Sequence, residues 1–432
     1  MTLADDAVAL IDRDELVETA LALCNIDSAG PTEGPVAEYI SDWLRREGFK
    51  VRQLGLQAER FNVVGTLPGT GGGYSLLFNS HMDTAIRWGE PGRKDANDDL
   101  YHKAWVEGGD LVGEGIVNDK GPLAAFLIAG KAVKATGVTL KGDLLLTGVI
   151  AETASEPSDD LPGSLSETKD LGARYLLTHG GVADFVVVAE GTGFGIVAVE
   201  AGMVWFKITW VSDEPGFYLP YLPDRTTMNE SPSMIVRAAL GIQTLERWAT
   251  QYQDRYAYDS ASGRVVPKAQ VGAIHGGDSN RLTTTCQVCN VYVGVFTPPG
   301  LDPLVLKEEV AEALRSDGVP ASEIDLYLFR PGYEAKNADV IIDALREAHR
   351  DTLGGEPPPP FTPTLSMWRD INVWNEVGIP AVTYGPRHEN FAYRRALSIE
   401  SLYQAACVYA RTVVKICNQE KPRAAGNRSV RD

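Results

Sequence analysis

A chain of 432 residues exceeds what one hydrophobic core usually supports, so about two domains are expected. Its 44% hydrophobic and 23% charged residues are those of an ordinary globular protein, and a formal charge of −18 at pH 7 argues against nucleic acid or an anionic membrane as partner. A small anionic substrate stays compatible with that charge, because a bound dication inverts the local field.

Helical spacing runs over residues 12–23, and Pro31-Thr32-Glu33-Gly34 precedes a second amphipathic helix over 35–48. Short strands follow at 51–54 and 62–67, then a glycine turn at 69–73. The strand-like run 74–78 leads into Ser80-His81-Met82-Asp83-Thr84. A polar segment, 84–111, carries Trp88, Tyr101, His102 and Trp105 and reads as a functional loop. Gly113-Glu114-Gly115-Ile116-Val117-Asn118-Asp119-Lys120-Gly121 opens a helix over 122–135. The apolar run 143–150 leads to Ala151-Glu152-Thr153, and the run 184–189 leads to Glu190.

Strand and helix signals alternate to about residue 198, as an α/β sheet flanked by helices requires. Residues 199–330 change character: strands at 202–211 and within 271–296, helices at 233–253 and 304–314. They predict a smaller α+β domain inserted between two halves, 1–198 and 331–432, of the larger one. A helix at 339–349, a stiff proline connector at 356–360, a strand and turn at 379–386 and a closing helix at 398–417 complete the chain. The basic tail after Lys421 is expected to be disordered.

The amino terminus has no apolar leader, and no apolar run reaches membrane-spanning length. Five scattered cysteines suggest free thiols in a reducing compartment, so a cytoplasmic location is expected. Cys286 and Cys289, although spaced as C-x-x-C, read as two strand residues rather than as a redox or zinc pair.

Apolar runs that each deliver a ligand-type residue at the carboxyl end describe the active edge of an open α/β sheet. A hydrolytic metal site needs imidazole and carboxylate ligands, an open position for water, and a carboxylate to take the water's proton. His81, Asp119 and Glu190 can supply the ligands and Glu152 the base. Asp83, two residues beyond His81 in an extended segment, points the same way; its expected role is to accept the other imidazole N–H and fix the tautomer. Singly these signals are weak, and Asp119 could simply cap the helix that follows it.

Together, the motifs at 80–84, 113–121 and 151–153, with Ala189-Glu190-Gly191-Thr192 and Tyr384-Gly385-Pro386-Arg387-His388, resemble the aminoacylase, carboxypeptidase G and desuccinylase family of metallohydrolases over nearly the whole chain. The resemblance implies a zinc-peptidase-like mixed sheet flanked by helices, with the inserted domain serving as a lid that mediates homodimerisation. It also implies a pair of metals bridged by the residue matching Asp119, with the catalytic carboxylate at Glu152.

The departures from that pattern are informative. Where the family has two consecutive acidic residues, this chain has Glu152 followed by Thr153, and the missing carboxylate belongs to the metal that His388 would share. One divalent metal, Mn²⁺ or Zn²⁺, is therefore expected rather than two, with His388 freed for substrate or water. Residues 211–221 lack the family's lid histidine, an oxyanion donor, and 291–296 lack its carboxylate-binding arginine. The aromatic cluster Phe217, Tyr218 and Tyr221 is either lid core or a substrate wall. His275 and Arg281 are candidate substrate contacts or plain loop residues; Arg387 would bind an anionic group or pair with Asp370 or Glu389. His179 and His349 read as surface residues, and His102 stays open.

The expected activity is cleavage of a C–N bond in a small molecule by metal-activated water. The loss of the peptide-type oxyanion donor points first to hydrolytic deamination of an aromatic amine such as 5-nitroanthranilate. The alternatives are a dipeptidase, carboxypeptidase or N-acyl amino acid amidohydrolase, or an inactive relative acting as a binding subunit.

Overall fold

A computed structural model describes residues 2–89, 94–153, 168–225, 227–389 and 395–422, with backbone alone at 56, 388 and 389. The chain divides into two compact units. The larger comprises Met1–Ala198, Ala335–Phe361 and Arg369–Asp432, and the smaller Val199–Glu334 with Thr362–Trp368. The boundary expected at 330 thus lies at Glu334, and a short piece near 365 joins the smaller unit.

The larger unit is built on a six-stranded mixed sheet in the order Lys50–Gln57, Arg60–Leu67, Leu144–Val149, Leu76–His81, Phe185–Val188, Ala381–Thr383. The first two pairings are antiparallel and the remaining three parallel. Leu76–His81 and Leu144–Val149 are buried at every position, as parallel strands covered on both faces must be. Helix Lys120–Ala135 packs against Arg13–Cys24 and Ile399–Asn418. Two of these start on caps that occupy otherwise unpaired backbone N–H groups: Asp12 accepts from Asp14 and Glu15, and Ser398 from Ser401.

The segment expected as a functional loop, 84–111, is partly regular. Trp105–Glu107 and Asp110–Val112 form a small four-stranded sheet with Ala396–Ser398 and His388–Glu389, and His102 stacks on Trp88 with ring centroids 3.7 Å apart. The amino-terminal helix Leu3–Ala9, closed by a Thr2–Asp5 capping box, was not expected from the sequence. The tail expected to be disordered lies outside the described residues from 423 onward.

In the smaller unit an antiparallel sheet runs Ala269–Gly276, Val288–Thr297, Gly202–Val211, Glu323–Arg330; the last strand carries no clear alternation and went unread in the sequence. Alternate residues Val204, Phe206, Ile208 and Trp210 meet Val291, Val293 and the inner faces of helices Met234–Arg255 and Pro303–Ser316 in one core. On the opposite sheet face, Tyr327 lies edge-on to both Trp205 and Tyr292. Cys289 is buried, Cys286 half-buried, and both are free thiols. Among the described residues no helix is long and apolar enough to cross a membrane.

Gly241 shows how tightly this core is filled. Alanine usually stabilises a helix interior by about 1 kcal/mol over glycine. Here a Cβ would sit 2.4 Å from the Trp210 ring, which is fully buried and fixed by its indole N–H to the Val319 carbonyl. Overpacking of this kind costs about 1–3 kcal/mol, so Gly241→Ala is expected to lower the melting temperature by a few degrees; an unchanged or raised midpoint in a thermal scan would contradict this packing.

Candidate metal centre

His81 ends the strand Leu76–His81 with its ring buried. Its Nδ1 lies 2.9 Å from the Asp83 carbonyl and 3.5 Å from Asp83 Oδ1. Since a carbonyl only accepts, Nδ1 carries the proton, and the neutral ring offers its Nε2 lone pair to the centre. Nε2 is 3.5 Å from Asp119 Oδ2 and 3.8 Å from Glu152 Oε2, with Asn118 Oδ1 at 3.3 Å. Asp83 does fix the tautomer, but chiefly through its backbone carbonyl.

The Asp83 carboxylate has a different employer. Oδ1 accepts from the Glu152 N–H at 3.1 Å, and Oδ2 from the Thr153 N–H at 2.7 Å and the Thr153 hydroxyl at 2.5 Å. It therefore locks the backbone that presents Glu152. Asp119 precedes helix Lys120–Ala135 yet makes no capping hydrogen bond. Instead both its carboxylate oxygens are buried with no hydrogen-bond partner among the described residues, as are Oε1 of Glu190 and Oδ1 of Asp370. Ser80 holds the Asp119 carbonyl at 3.1 Å.

Three residues that sequence reasoning did not select complete the cluster. Lys169 Nζ reaches Glu152 Oε1 at 2.5 Å and also the Glu152 carbonyl. Arg369 pairs with Glu190, and Asn79 donates to Asp370 Oδ2 at 3.0 Å. Burial raises the Asp119 carboxyl well above its usual range, with the charges of Glu190 and Glu152 adding to the rise. Burial also raises Glu152, against the pull of Lys169. Orphaned buried carboxylate oxygens beside an imidazole lone pair are the donor chemistry of a divalent cation site. His81, Asp119 and Glu190 fit such an ion in type, although as placed no three His, Cys, Asp or Glu side chains among the described residues enclose a single point.

The other selected residues are placed as follows. The His388 side chain lies outside the described residues. Arg387 is exposed, its backbone N–H donating to Ser401 Oγ at 2.7 Å, while the Asp370 expected as its partner is engaged by Asn79. In the smaller unit Tyr218 and Tyr221 are exposed and Phe217 half-buried, which removes the lid-core reading of that cluster. His275 lies on the edge strand with its ring 5.2 Å from Tyr292, and Arg281 is exposed beside Asp278. His349, read as a surface residue, is instead buried: it follows Ile341, Leu345 and Ala348 on the inner face of helix Asp339–Leu353, with Nδ1 2.8 Å from the Tyr384 hydroxyl.

The family model that matches this chain, over residues 77–415, is that of peptidase family M20/M25/M40. The chain belongs to this family. It is accordingly a metal-dependent hydrolase of amide or peptide C–N bonds, in a family whose enzymes bind divalent metals. The N-formyl-4-amino-5-aminomethyl-2-methylpyrimidine deformylase of Bacillus subtilis is 23% identical over 95% of this chain and 96% of its own length. The [LysW]-lysine hydrolase of Deinococcus radiodurans is 26% identical over 86% and 87%. Among solved structures a dipeptidase from Saccharomyces cerevisiae superposes with a TM-score of 0.71 at 12% identity, covering 98% of this chain and 100% of that one. A dinuclear metal-binding peptidase from Bacillus subtilis gives 0.62 at 15% identity, covering 94% and 98%.

Behind the base stands a buried ion pair. Glu33 takes Arg60 Nε and Nη2 at 2.7 and 2.8 Å and also accepts from the Ala151 N–H at 3.2 Å. Ala151 has a φ of +59°, a strained conformation for alanine, and it is the residue that turns the chain into Glu152. Burial pushes the Glu33 carboxyl up to about 7 although the Arg60 fork pulls it down. A folded-state value above the ordinary 4.5 of a glutamate means the folded chain binds this proton more tightly, so this group's contribution favours folding below pH 4.5 and fades as pH rises through about 7. Glu33→Gln imitates the protonated form. Its melting temperature is expected to match wild type near pH ~5 and exceed it near pH ~8, and parallel pH profiles for the two proteins would refute the assignment.

Proposed function

We propose that this chain hydrolyses the amide bond of a small N-acylated amine, releasing the acyl group as a carboxylic acid and the amine. The observation that carries this reading is the placement of Glu152. It is buried at the end of a central strand, with Oε1 held by Lys169 and Oε2 turned toward His81 and, beyond it, the orphaned oxygens of Asp119. His81, Asp119 and Glu190 would hold one divalent ion, zinc or manganese, which when bound supplies Lewis acidity for the amide carbonyl and for water. Glu152 takes the proton from the attacking water and returns it to the departing nitrogen. Asp83 keeps both partners aligned, through its carbonyl to His81 and its carboxylate to the Glu152 and Thr153 backbone.

The choice of an acylated amine rests on the relatives. One is named for removing a formyl group from an aminomethylpyrimidine, and another, from Corynebacterium glutamicum, for desuccinylation. Deamination of an aromatic amine such as 5-nitroanthranilate draws no support from them. The edge strand Ala269–Gly276, exposed at Gln270, Gly272 and Ile274, supports self-association through the smaller unit; a monomer by light scattering would count against it.

The test is an assay of metal-loaded protein with N-formyl amines, N-succinyl amino acids, dipeptides and 5-nitroanthranilate. Turnover is expected on the acylated amines, and Glu152→Gln is expected to lower it by about 10²–10⁴ with metal content unchanged. Turnover of 5-nitroanthranilate alone, or full activity in the variant, would sink the proposal.

A further inference from the structure

The resemblance implies that a second dication would be held by a carboxylate where this chain has Thr153, and the structure shows what that position does instead. The Thr153 hydroxyl and N–H are both spent on Asp83 Oδ2, at 2.5 and 2.7 Å. Both Asp83 carboxylate oxygens are thereby engaged, since its Oδ1 takes the Glu152 N–H. A cation is nevertheless present on this side. The Lys169 ammonium donates to Glu152 Oε1 at 2.5 Å, in surroundings where its side chain is 15% and that of Glu152 7% exposed. Burial works against a charged lysine, but the charges of Glu152, Asp370 and Asp83 outweigh it, and Lys169 ends above its ordinary value. It is an ammonium held against the carboxylates of the centre.

We infer that the Lys169 ammonium replaces the second metal ion of the centre, so that the chain binds one exchangeable dication, at His81, Asp119 and Glu190, and carries its other cation covalently. The inference rests on the proposed hydrolytic reading of the site. A dication placed beside Glu152 Oε1 would meet a like charge at close range in a site with little solvent to screen it, and at Thr153 it would meet a hydroxyl already engaged by Asp83 rather than an anion. The same contact orients the base: with Oε1 tied to Lys169, Oε2 is the oxygen that faces His81.

The test is a titration of metal-free protein with Mn²⁺, following free Mn²⁺ by electron paramagnetic resonance and checking the count by elemental analysis. Wild type is expected to saturate at one ion per chain. Lys169→Met removes the competing charge and is expected either to bind Mn²⁺ at least about tenfold more tightly or to admit a second ion. Lys169→Met combined with Thr153→Glu is expected to bind two. Circular dichroism establishes that each variant is folded, and the single variant decides the matter if the double one is not. Two ions of comparable affinity in wild type, or a folded Lys169→Met with unchanged count and affinity, would overturn the inference. Two ions in a wild-type protein that cleaves acylated amines would leave the functional proposal standing without it. One ion with no amide cleavage would remove the functional proposal and leave the charge replacement intact.

Discussion

Five carboxylates, of Asp83, Asp119, Glu152, Glu190 and Asp370, are buried around one end of the larger unit's sheet, and charge compensation among them is the constraint on which the rest of the structure depends. Taking an ionised carboxylate out of water costs several kcal/mol unless a counter-charge or hydrogen bonds replace the solvent. Asp83 is compensated by backbone and hydroxyl donors, Glu152 by Lys169, Glu190 by Arg369 and Asp370 in part by Asn79. Asp119 has none of these, and neither of its oxygens finds a partner among the described residues. A divalent ion bound there would supply what is missing, and metal affinity and folding stability would then be two readings of the same deficit.

The deficit can persist only because the surrounding backbone leaves the side chains no escape. Glu33 and Arg60 fix the Ala151 N–H. Asn62 bridges the Ile150 N–H and the Gly172 carbonyl, and Gly172 itself lies so close to the Ile150 carbonyl that a Cβ would come within 2.2 Å of it. On the other side, a Cβ on Gly385 would reach 2.0 Å from the Glu190 carbonyl. The segments that carry His81, Glu152 and Glu190 are thus spaced by backbone contacts that tolerate no side chain, at or just beyond the ends of the strands Leu76–His81, Leu144–Val149 and Phe185–Val188, which is how a site keeps its geometry without an ion to organise it.

Much of this arrangement is legible in the linear chain, and the reason is periodicity. The buried parallel strands appear as uninterrupted apolar runs, each ending on a polar residue that a core strand would not otherwise tolerate, and that identified His81, Glu152 and Glu190. Asp119 was ambiguous between cap and ligand, and its lack of a side-chain capping bond removes the first reading. The compensating cations were not legible: Lys169 and Arg369 stand outside the motifs, with nothing in their neighbours to single them out. Their burial comes from contacts across the fold that no local pattern records. His349 was missed for another reason. Its spacing of four from Leu345 does place it on the apolar face of its helix, but a polar residue there was read by type rather than by position.

Thr153 shows how a departure from a familiar pattern changes meaning in three dimensions. In the sequence it is a missing carboxylate. In the fold it is a donor that fixes Asp83, and through Asp83 the base. If Lys169 stands in for a second ion, the centre would keep a positive charge beside Glu152 but lack a second Lewis acid, because an ammonium donates hydrogen bonds and has no vacant orbital for a water or carbonyl lone pair. With a single ion held beside His81, polarisation of the acyl oxygen and acidification of water would fall to that ion, and the work left to Lys169 would be to hold Glu152 through its hydrogen bonds. Substrates whose cleavage depends on two Lewis acids acting on one carbonyl would be served poorly by such a centre. Acyl groups whose carbonyl is electrophilic enough to be activated by a single ion would lose little.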